Sequence, residues 1–301
     1  MLLAGTVPLN DLPLIVGQVR AEEEFLIVDG HRIACTQGTG AMVSAALAVT
    51  EYLKLDPPQI VVAGDIGQGN GSRAIYEYLI QKMPELSAEV LTLHYCLPDM
   101  ALMRRLCESV ARCTRKPVMI ADAASMYVAK AVGLASQFDI FTPDATELAF
   151  LADPEATHPA YIARHLFDTD MAQAPKLIAS AYEQNGAARL LLVKGAVDYV
   201  VRAGDVDMIS EPDVPELEAI GGTGDAITGL VSAFAYAGLE LHEAAIISAR
   251  ANRMAGKFAQ VTPATKIWQI IKKFPDVMKE HLCSWSGVCY TTDIRGGAIN
   301  G

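Results

Sequence analysis

Short apolar segments rich in β-branched residues alternate with longer segments of helical periodicity along most of the chain. This alternation predicts strands that pair in parallel, with the connecting helices covering both faces of one sheet. The predicted strands cover residues 33–35, 60–64, 90–93, 118–122, 138–142 and 190–193, and residues 198–202 are predicted to form a hairpin with the last of these. The predicted helices cover residues 41–53, 73–81, 98–112, 145–151 and 230–236. We therefore expect one α/β domain over residues 1–281, with a mostly parallel central sheet between two layers of helices.

Two segments fall outside this alternation. Residues 153–175 contain three prolines and are predicted to form an exposed excursion. Residues 282–301 contain Gly296-Gly297 and end in Asn300-Gly301, a composition typical of flexible chain ends, so we expect a C-terminal tail there.

Composition and charge narrow the class of protein. Hydrophobic residues make up 51% and charged residues 20% of the 301 residues, which is enough for a large core. The formal net charge of −11 argues against a general nucleic-acid binder, which needs a basic surface. No apolar run reaches the length of a membrane span, and the first residues lack the basic segment of a signal peptide. We therefore expect a cytoplasmic protein that acts on a small molecule and binds neither nucleic acid nor membrane.

The six cysteines contain no CxxC pair. Reduced and mostly buried thiols are the expected state of such cysteines in the cytoplasm. Cys283 and Cys289 flank a short turn, so pairing or metal binding between these two is the less favoured alternative.

The most informative local pattern is a glycine-rich turn, residues 221–225, that leads into an apolar helix. Free backbone N–H groups and the positive end of the helix dipole gather at a helix N-terminus, which therefore suits an anion such as a phosphate. Gly222, Thr223 and Gly224 are the predicted anion hole. Asp225 lies in the first turn beside the expected phosphate, where a carboxylate is a candidate catalytic base. Helix capping alone is the competing interpretation.

Two further glycine turns are candidates for binding the substrate. Residues 36–40 open the first predicted helix and include Gly38 and Gly40, although close packing of strand and helix also favours small residues there. Residues 64–71 follow a strand and include Gly67 and Gly69, and a plain tight turn explains this loop about as well.

Four other residues are candidates for binding a phosphate-bearing ligand and a metal ion. Lys194 and Gly195 end a predicted strand, where a lysine can pair with a polyphosphate or remain solvated. Glu147 lies in the first turn of a predicted helix, where it can orient the water shell of Mg²⁺ or cap the helix. Asn252 lies in a late helix and faces either an adenine ring or the solvent.

Several common motifs are absent from the sequence. There is no dinucleotide-binding GxGxxG after a strand, no GxxxxGK[ST] phosphate loop and no GxSxG elbow. The six histidines show no HExxH or paired spacing, so a zinc site is not expected.

Taken together, these segments resemble the ribokinase-like superfamily, and within it the ADP/ATP-dependent NAD(P)H-hydrate dehydratases, over residues 30–260. The turn at 221–229 matches best, residues 192–196 are similar to the "LKG" strand, and residues 36–46 resemble the "GS…GAA" turn and helix. Residues 64–69 resemble the "GPGLG" loop, and Thr142-Pro143 with Glu147 resembles "TPHPGE". The order of the five segments makes the resemblance more specific than any one motif.

The resemblance implies roles for individual residues. Asp225 would take a proton from the acceptor hydroxyl, and the N–H groups of the 222–224 turn would stabilise the transferred phosphoryl group. Lys194 would lie near the nucleotide, ATP or ADP, and Glu147 near Mg²⁺. Association into homo-oligomers is common in the superfamily, so a homo-oligomer is an expectation by analogy.

The departures from the family pattern fall on the substrate side. The "HPGE" core is Asp144-Ala145-Thr146-Glu147, which lacks the histidine and the glycine. The "DADALN" motif appears as residues 121–126, which keep a carboxylate at Asp122, a candidate substrate contact, and lose the asparagine. Asp65 stands where "GPGLG" has proline.

Three functions follow from this pattern. The first is an ADP/ATP-dependent dehydratase that phosphorylates the hydroxyl of hydrated nicotinamide, after which phosphate leaves. The second is a kinase of a small hydroxylated metabolite such as a sugar or vitamin precursor. The third is a nucleotide-binding protein that has kept the fold and lost turnover.

Overall fold

The computed structural model describes residues 1–156, 173–287 and 289. Its strands are β1 (Leu2–Val7), β2 (Ile15–Glu22), β3 (Phe25–Val28), β4 (His31–Ala34), β5 (Gln59–Gly64), β6 (Val90–His94), β7 (Val118–Ala121), β8 (Ile140–Phe141), β9 (Leu190–Val193), β10 (Asp198–Arg202) and β11 (Asp205–Ile209). Its helices are α1 (Gly38–Tyr52), α2 (Asn70–Lys82), α3 (Met100–Ala111), α4 (Ala124–Ala131), α5 (Ala145–Ala152), α6 (Ala174–Glu183), α7 (Thr223–Tyr236), α8 (Leu241–Ala259), α9 (Ile267–Ile271) and α10 (Phe274–Ser286).

The strands form one sheet in the order β11-β10-β9-β8-β7-β6-β1-β5-β2-β3-β4. The six central strands, from β9 to β5, run parallel to their neighbours. Antiparallel strands extend both sides of this core, with β10 and β11 beyond β9 and with β2, β3 and β4 beyond β5. The expected α/β architecture with a mostly parallel sheet is therefore confirmed.

Side chains on the two faces of the sheet pack into two separate hydrophobic cores. In β1, Leu3 and Val7 join one core, whereas Leu2 and Ala4 join the other, because successive residues of a strand point to opposite faces. The first core lies under α1, α7 and α8, and the second lies under the helices from α2 to α6. Burial on both faces explains why the central strands read as continuous apolar runs.

The sequence reading missed β1, which occupies the middle of the sheet. Ala4 and Gly5 have low β propensity, so the segment does not look like a strand. A Cβ atom on Gly5 would lie 2.5 Å from the carbonyl oxygen of His94 and 2.6 Å from Thr39 Oγ1. The glycine is therefore needed for close packing of β1 against β6 and α1, which local propensity cannot reveal.

Other boundaries differ from the prediction in smaller ways. Strand β8 covers two residues rather than 138–142. Helix α7 begins at Thr223, so Asp225 lies in its first turn as predicted, and the helix includes the apolar run 230–236. Most of the predicted excursion, residues 157–172, lies outside the described residues. Helix α10 runs to Ser286 and buries Leu282, so ordered structure continues past residue 281, while residues 288 and 290–301 of the predicted tail lie outside the described residues.

The expectation of reduced thiols is wrong for one pair of cysteines. Cys283 and Cys289 form a disulfide, with Cα atoms 4.4 Å apart. Helix α10 ends at Gly287 in a left-handed conformation, with φ of 68°, and this turns the chain back so that Cys289 reaches Cys283. Cys35, Cys96 and Cys107 are free and buried, as expected.

Within the described residues, no helix combines the length and the apolar character that crossing a membrane requires.

Helices α1 and α7 pack closely through Gly229 of α7. A Cβ atom at this position would lie 2.1 Å from the carbonyl oxygen of Met42 in α1. Backbone atoms at that distance cannot move aside cheaply, so the two helices would have to separate.

We expect Gly229→Ala to lower the free energy of unfolding by about 1–3 kcal/mol, as overpacking of a core does. The measurement is urea unfolding followed by circular dichroism. Gly17→Ala is the matched control, because its Cβ would lie 3.5 Å from Val28 Cγ1, an ordinary contact, and should leave the stability unchanged or slightly raised. Equal stability of the two variants would contradict this account of the α1–α7 packing.

Candidate active site

Four parallel strands deliver polar residues to one edge of the sheet. His94 is the last residue of β6, Asp122 follows β7, Thr142 follows β8 and Lys194 follows β9. The carboxyl ends of parallel strands share one edge, which is the usual place for ligands in such folds. Helix α7 also begins there and brings Asp225 in its first turn.

A glycine turn sets the start of α7. Gly222 precedes the helix with φ of 97°, a left-handed conformation that favours glycine. Thr223 Oγ1 donates to the carbonyl oxygens of Leu217 at 3.2 Å and Ile220 at 3.1 Å, so its side chain anchors the turn. The backbone N–H groups of the first turn of a helix lack intrahelical partners, which leaves them able to bind an anion.

The carboxylate of Asp225 is held on both oxygens. Oδ2 accepts a hydrogen bond from the Gly38 N–H at 2.6 Å, and Oδ1 lies 3.1 Å from Nε2 of His94. Burial acts to raise the pKa of Asp225, but the hydrogen bond from His94 and its positive charge outweigh that effect and lower the pKa. Asp225 is therefore an ionised carboxylate with 14% of its side chain exposed.

Asp122 is saturated with hydrogen-bond donors. Lys194 Nζ lies 2.9 Å from each of its oxygens, Thr228 Oγ1 donates to Oδ2 at 2.6 Å, and the Ala123 N–H donates to Oδ1 at 2.8 Å. Burial acts to raise the pKa of Asp122, but Lys194 and His94 lower it well below the usual range. Its carboxylate is therefore a buried anion whose partners are all supplied by the protein.

His94 is the functional residue that the sequence reading missed. It is completely buried between the two carboxylates, with Nε2 3.4 Å from Asp122 Oδ2 in addition to the contact with Asp225. His94 belongs to no HExxH motif and has no second histidine at a metal-binding spacing. A polar residue at the end of a buried apolar strand, at the same edge as Asp122, was the signal that could have found it.

His94, Asp122 and Asp225 place their ligand atoms within 4.8 Å of one another, a spacing that a metal ion could use. However, Lys194 and the Ala123 and Thr228 donors already engage Asp122. Because Lys194 and a protonated His94 balance the two carboxylates, the cluster is neutral as it stands and does not call for a metal ion.

Glu147 caps helix α5. Its Oε2 accepts from the Asp144 N–H at 2.9 Å, while the Glu147 N–H donates to Asp144 Oδ1 at 2.8 Å, which is a capping box. Burial, together with the nearby charges of Asp122 and Asp144, raises the pKa of Glu147 to about 8. This carboxyl group is thus a helix cap, which was the competing interpretation. In addition, a nearby cation would favour its ionised form.

A cleft of about 420 Å³ opens beside the start of α7. It brings together five of the residues predicted from the sequence, which are Lys194, Gly195, Thr223, Gly224 and Asn252. Asn252 is buried, and its Oδ1 has no hydrogen-bond partner among the residues that the structure describes. A buried and unpaired acceptor at the wall of a cleft is a position where a ligand can supply the missing donor.

A buried ion pair makes one wall of this cleft rigid. Arg253 Nε donates to Asp198 Oδ2 at 2.8 Å, and its Nη2 donates to the carbonyl oxygens of Gly195 at 2.9 Å and Ala196 at 2.7 Å. The Gly195 N–H donates to Asp198 Oδ1 at 3.0 Å, so it is already engaged within the turn.

The glycines predicted to bind substrate lie in different settings. Gly38 holds Asp225 through its N–H, whereas Gly40 allows close packing, because a Cβ there would lie 2.3 Å from the carbonyl oxygen of Ala34. The N–H groups of Gly67 and Gly69 donate to Asp65 Oδ1 at 3.0 and 2.9 Å. Their loop is therefore closed on its own carboxylate, in line with the tight-turn alternative.

The amino-acid sequence is similar to those of known proteins. The family model of the NAD(P)H-hydrate dehydratases matches residues 36–275. An uncharacterised protein of Methanocaldococcus jannaschii is 36% identical over 242 residues, which cover 80% of this chain and 100% of that protein.

Solved structures share the fold at low sequence identity. A ribokinase-like superfamily protein of Enterococcus faecalis is 15% identical, with a TM-score of 0.52, and the match covers 93% of this chain and 86% of that one. Phosphofructokinase-2 of Escherichia coli, solved in complex with fructose-6-phosphate, is also 15% identical with a TM-score of 0.52, covering 92% of this chain and 98% of the kinase. At such identities the likeness concerns the fold alone.

The family model covers most of the chain, so the chain belongs to the NAD(P)H-hydrate dehydratase family, and its fold is that of ribokinase-like proteins.

Proposed function

We propose that this protein transfers a phosphoryl group from ATP or ADP to the hydroxyl group of a small molecule, as a dehydratase of the NAD(P)H-hydrate type. One observation carries the proposal: Thr223 and Gly224 line the cleft at the start of α7, and Asp225, an ionised carboxylate, follows them in the same helical turn. Free N–H groups for phosphate and a base for the acceptor are the two components that this chemistry needs.

The roles of the residues follow from their positions. The N–H groups of Gly222, Thr223 and Gly224 stabilise negative charge on the transferred phosphoryl group. Asp225 takes the proton of the acceptor hydroxyl, whose oxygen then attacks phosphorus.

The nucleotide is held farther along the cleft. Lys194 lies at the boundary between the cleft and the charged cluster, where its ammonium group attracts the phosphates. Asn252 meets the remainder of the nucleotide through its unpaired Oδ1, which needs a donor.

Glu147 fits a role beside Mg²⁺. Burial, followed by the charges of Asp122 and Asp144, raises its pKa, so a divalent cation bound there would be attracted by these carboxylates and would hold the Glu147 carboxyl group ionised. The ion, when bound, would neutralise charge on the nucleotide phosphates. Glu147 would act together with water ligands, because its Oε2 is already bound to the Asp144 N–H.

A kinase of a small hydroxylated metabolite is the alternative, and one observation favours it. The exposed ring of Tyr95 lies next to Gly38, whose N–H holds Asp225, so an aromatic side chain flanks the predicted base. The 144–147 segment also departs from the family motif. The acceptor site of this chain would therefore differ from that of a typical NAD(P)H-hydrate dehydratase. Both alternatives share the nucleotide site and the base, and they differ in the acceptor and in whether phosphate leaves afterwards.

The third possibility is a protein that binds a nucleotide in the same cleft and does not turn it over.

We also propose, by analogy with the superfamily, that copies of the chain associate. The structure of phosphofructokinase-2 from Escherichia coli in a tetrameric inhibited form shows such an assembly for that protein.

We expect Asp225→Asn to lower kcat by about 10²- to 10⁴-fold, the usual contribution of a general base, while nucleotide binding is retained. The measurement is release of ADP, AMP or phosphate from Mg-nucleotide with a panel of hydroxylated acceptors that includes hydrated NADH. Asp276→Asn is the control, because Asp276 is an exposed acid in the first turn of α10. Full activity of Asp225→Asn would exclude this base, and an inactive parent protein would favour the non-catalytic alternative.

We expect Asn252→Leu to have opposite effects on the free and the nucleotide-bound protein. Removal of an unpaired buried acceptor should leave the free protein equally or more stable, whereas the nucleotide should bind about tenfold or more weakly, because it loses a polar contact at the cleft wall. Thermal unfolding with and without Mg-ATP measures both effects. An undiminished nucleotide-induced stabilisation would place the nucleotide elsewhere.

We expect Glu147→Gln to keep the helix cap and to weaken the response to Mg²⁺. Glutamine can replace glutamate in a capping box, so the stability without ligand should change little. The Mg²⁺ concentration that half-saturates the ATP-induced rise in melting temperature should increase, because the negative charge is lost. An unchanged Mg²⁺ dependence would remove Glu147 from the metal site.

A further inference from the structure

The buried imidazole of His94 offers a contact to Asp225 that no sequence motif assigns. Its Nε2 faces Asp225 Oδ1 at 3.1 Å and Asp122 Oδ2 at 3.4 Å, and its Nδ1 lies 3.1 Å from Thr39 Oγ1. Every polar atom of the ring therefore has a defined neighbour.

These neighbours determine the protons on the ring. The single hydrogen of the Thr39 hydroxyl is donated to the carbonyl oxygen of Thr6 at 2.6 Å, so Thr39 Oγ1 can only accept from Nδ1. Nε2 faces carboxylate oxygens, which accept only, so it must donate as well. Hydrogen bonding thus requires a proton on both nitrogens, which makes His94 an imidazolium.

The electrostatics agree with this assignment. Burial lowers the pKa of His94, but the hydrogen bonds to Asp122 and Asp225 and their charges more than compensate and raise it to about 9. The groups facing the ring from other elements are Asp122 after β7, Asp225 on α7 and Thr39 on α1, with the Tyr95 ring meeting it edge to face at 4.6 Å. Lys194 lies behind Asp122 and is bonded to it.

The four charges form a chain that alternates in sign from the cleft to the predicted base. Lys194 binds Asp122, Asp122 faces His94, and His94 binds Asp225. Because Lys194 already satisfies Asp122, His94 is the cation in direct contact with Asp225 among the described residues.

We propose that His94 is a positioning residue for the phosphoryl transfer. Its imidazolium donates a hydrogen bond to Oδ1 of Asp225, which fixes this carboxylate and leaves a lone pair of Oδ2 for the acceptor hydroxyl. This inference rests on the proposed function. In the step itself the acceptor O–H bond breaks and its proton passes to Asp225, while the acceptor oxygen forms a bond to phosphorus. The bond from phosphorus to the leaving nucleotide oxygen breaks, and its electron pair stays on the nucleotide. His94 keeps both protons throughout and relays none.

The charge of His94 can be tested without any assay of activity. Protein labelled with ¹⁵N-histidine is examined by long-range ¹H–¹⁵N correlation at pH 8, and the His94 signals are assigned by their loss in His94→Gln. The expected result is two imidazolium-type nitrogens for His94. A neutral tautomer with one unprotonated nitrogen at pH 8 would overturn the proposal.

The same charge predicts how stability depends on pH. A histidine whose pKa is raised in the folded state, here from 6.5 to about 9, stabilises the fold fully below pH 6.5 and loses this contribution as pH rises through 9. The stability difference between the parent and His94→Gln should therefore be largest at pH 6 and should shrink toward pH 10. A difference that is independent of pH would contradict a charged His94.

The positioning role is tested by kinetics of His94→Gln with Mg-ATP and the best acceptor from the panel. We expect kcat to fall about tenfold or more, Mg-ATP binding to be retained, and the acid limb of the kcat/KM profile to move to higher pH, because Asp225 loses the cation that keeps it ionised. The control is Thr92→Val. Thr92 lies in β6, the strand of His94, and this substitution removes its buried hydrogen bond of 2.7 Å to Ser232 in α7, a contact that does not involve Asp225.

Two outcomes would overturn the role. One is an unmoved acid limb in His94→Gln, and the other is an equal loss of kcat in Thr92→Val. A parent protein without turnover would refute both the proposed function and the positioning role. In that case imidazolium signals for His94 would show that its charge was assigned correctly although the activity was not.

Discussion

Four charged side chains paired within the protein at the carboxyl edge of the sheet are the constraint on which the candidate site depends. Lys194, Asp122, His94 and Asp225 come from three strand ends and one helix, and they are mostly or completely buried. Removing any one of them would leave a buried partner charge without compensation, which destabilises the folded protein. Strands β6, β7 and β9 and helix α7 are therefore tied together at the place where the chemistry is proposed.

The backbone around this cluster is arranged to bring its members close. Gly5 allows β1 to approach His94 and Thr39, and Gly38 places an N–H group on Asp225. Gly222 adopts the left-handed conformation from which α7 starts. Small residues at these points allow contacts between backbone and side chain that larger residues would block, and Asp225 is held between the Gly38 N–H and His94 as a result.

Features that depend on local sequence could be predicted, and those that depend on distant packing could not. The prediction for β9 coincides with the strand, because an uninterrupted apolar run ends at Lys194. The turn before Asp225 could be recognised from its three glycines, which lead directly into an apolar helix. His94 has a weak local signal, as a polar residue at the end of an apolar strand, but its contact with Asp225 could not be predicted, because the two residues are 131 positions apart and the fold brings them together. The disulfide depended on a turn at Gly287, and the engagement of Gly67 and Gly69 by Asp65 depended on loop geometry.

The central claim is that a nucleotide phosphate reaches the start of α7 and is transferred to an acceptor. The most direct measurement is ³¹P NMR of Mg-ATP, and separately of Mg-ADP, incubated with the protein and the acceptor panel. The account predicts loss of the terminal phosphate resonance of one nucleotide and growth of a phosphomonoester or inorganic phosphate signal that depends on the acceptor. Unchanged nucleotide resonances with every acceptor, together with no line broadening on addition of the protein, would contradict it.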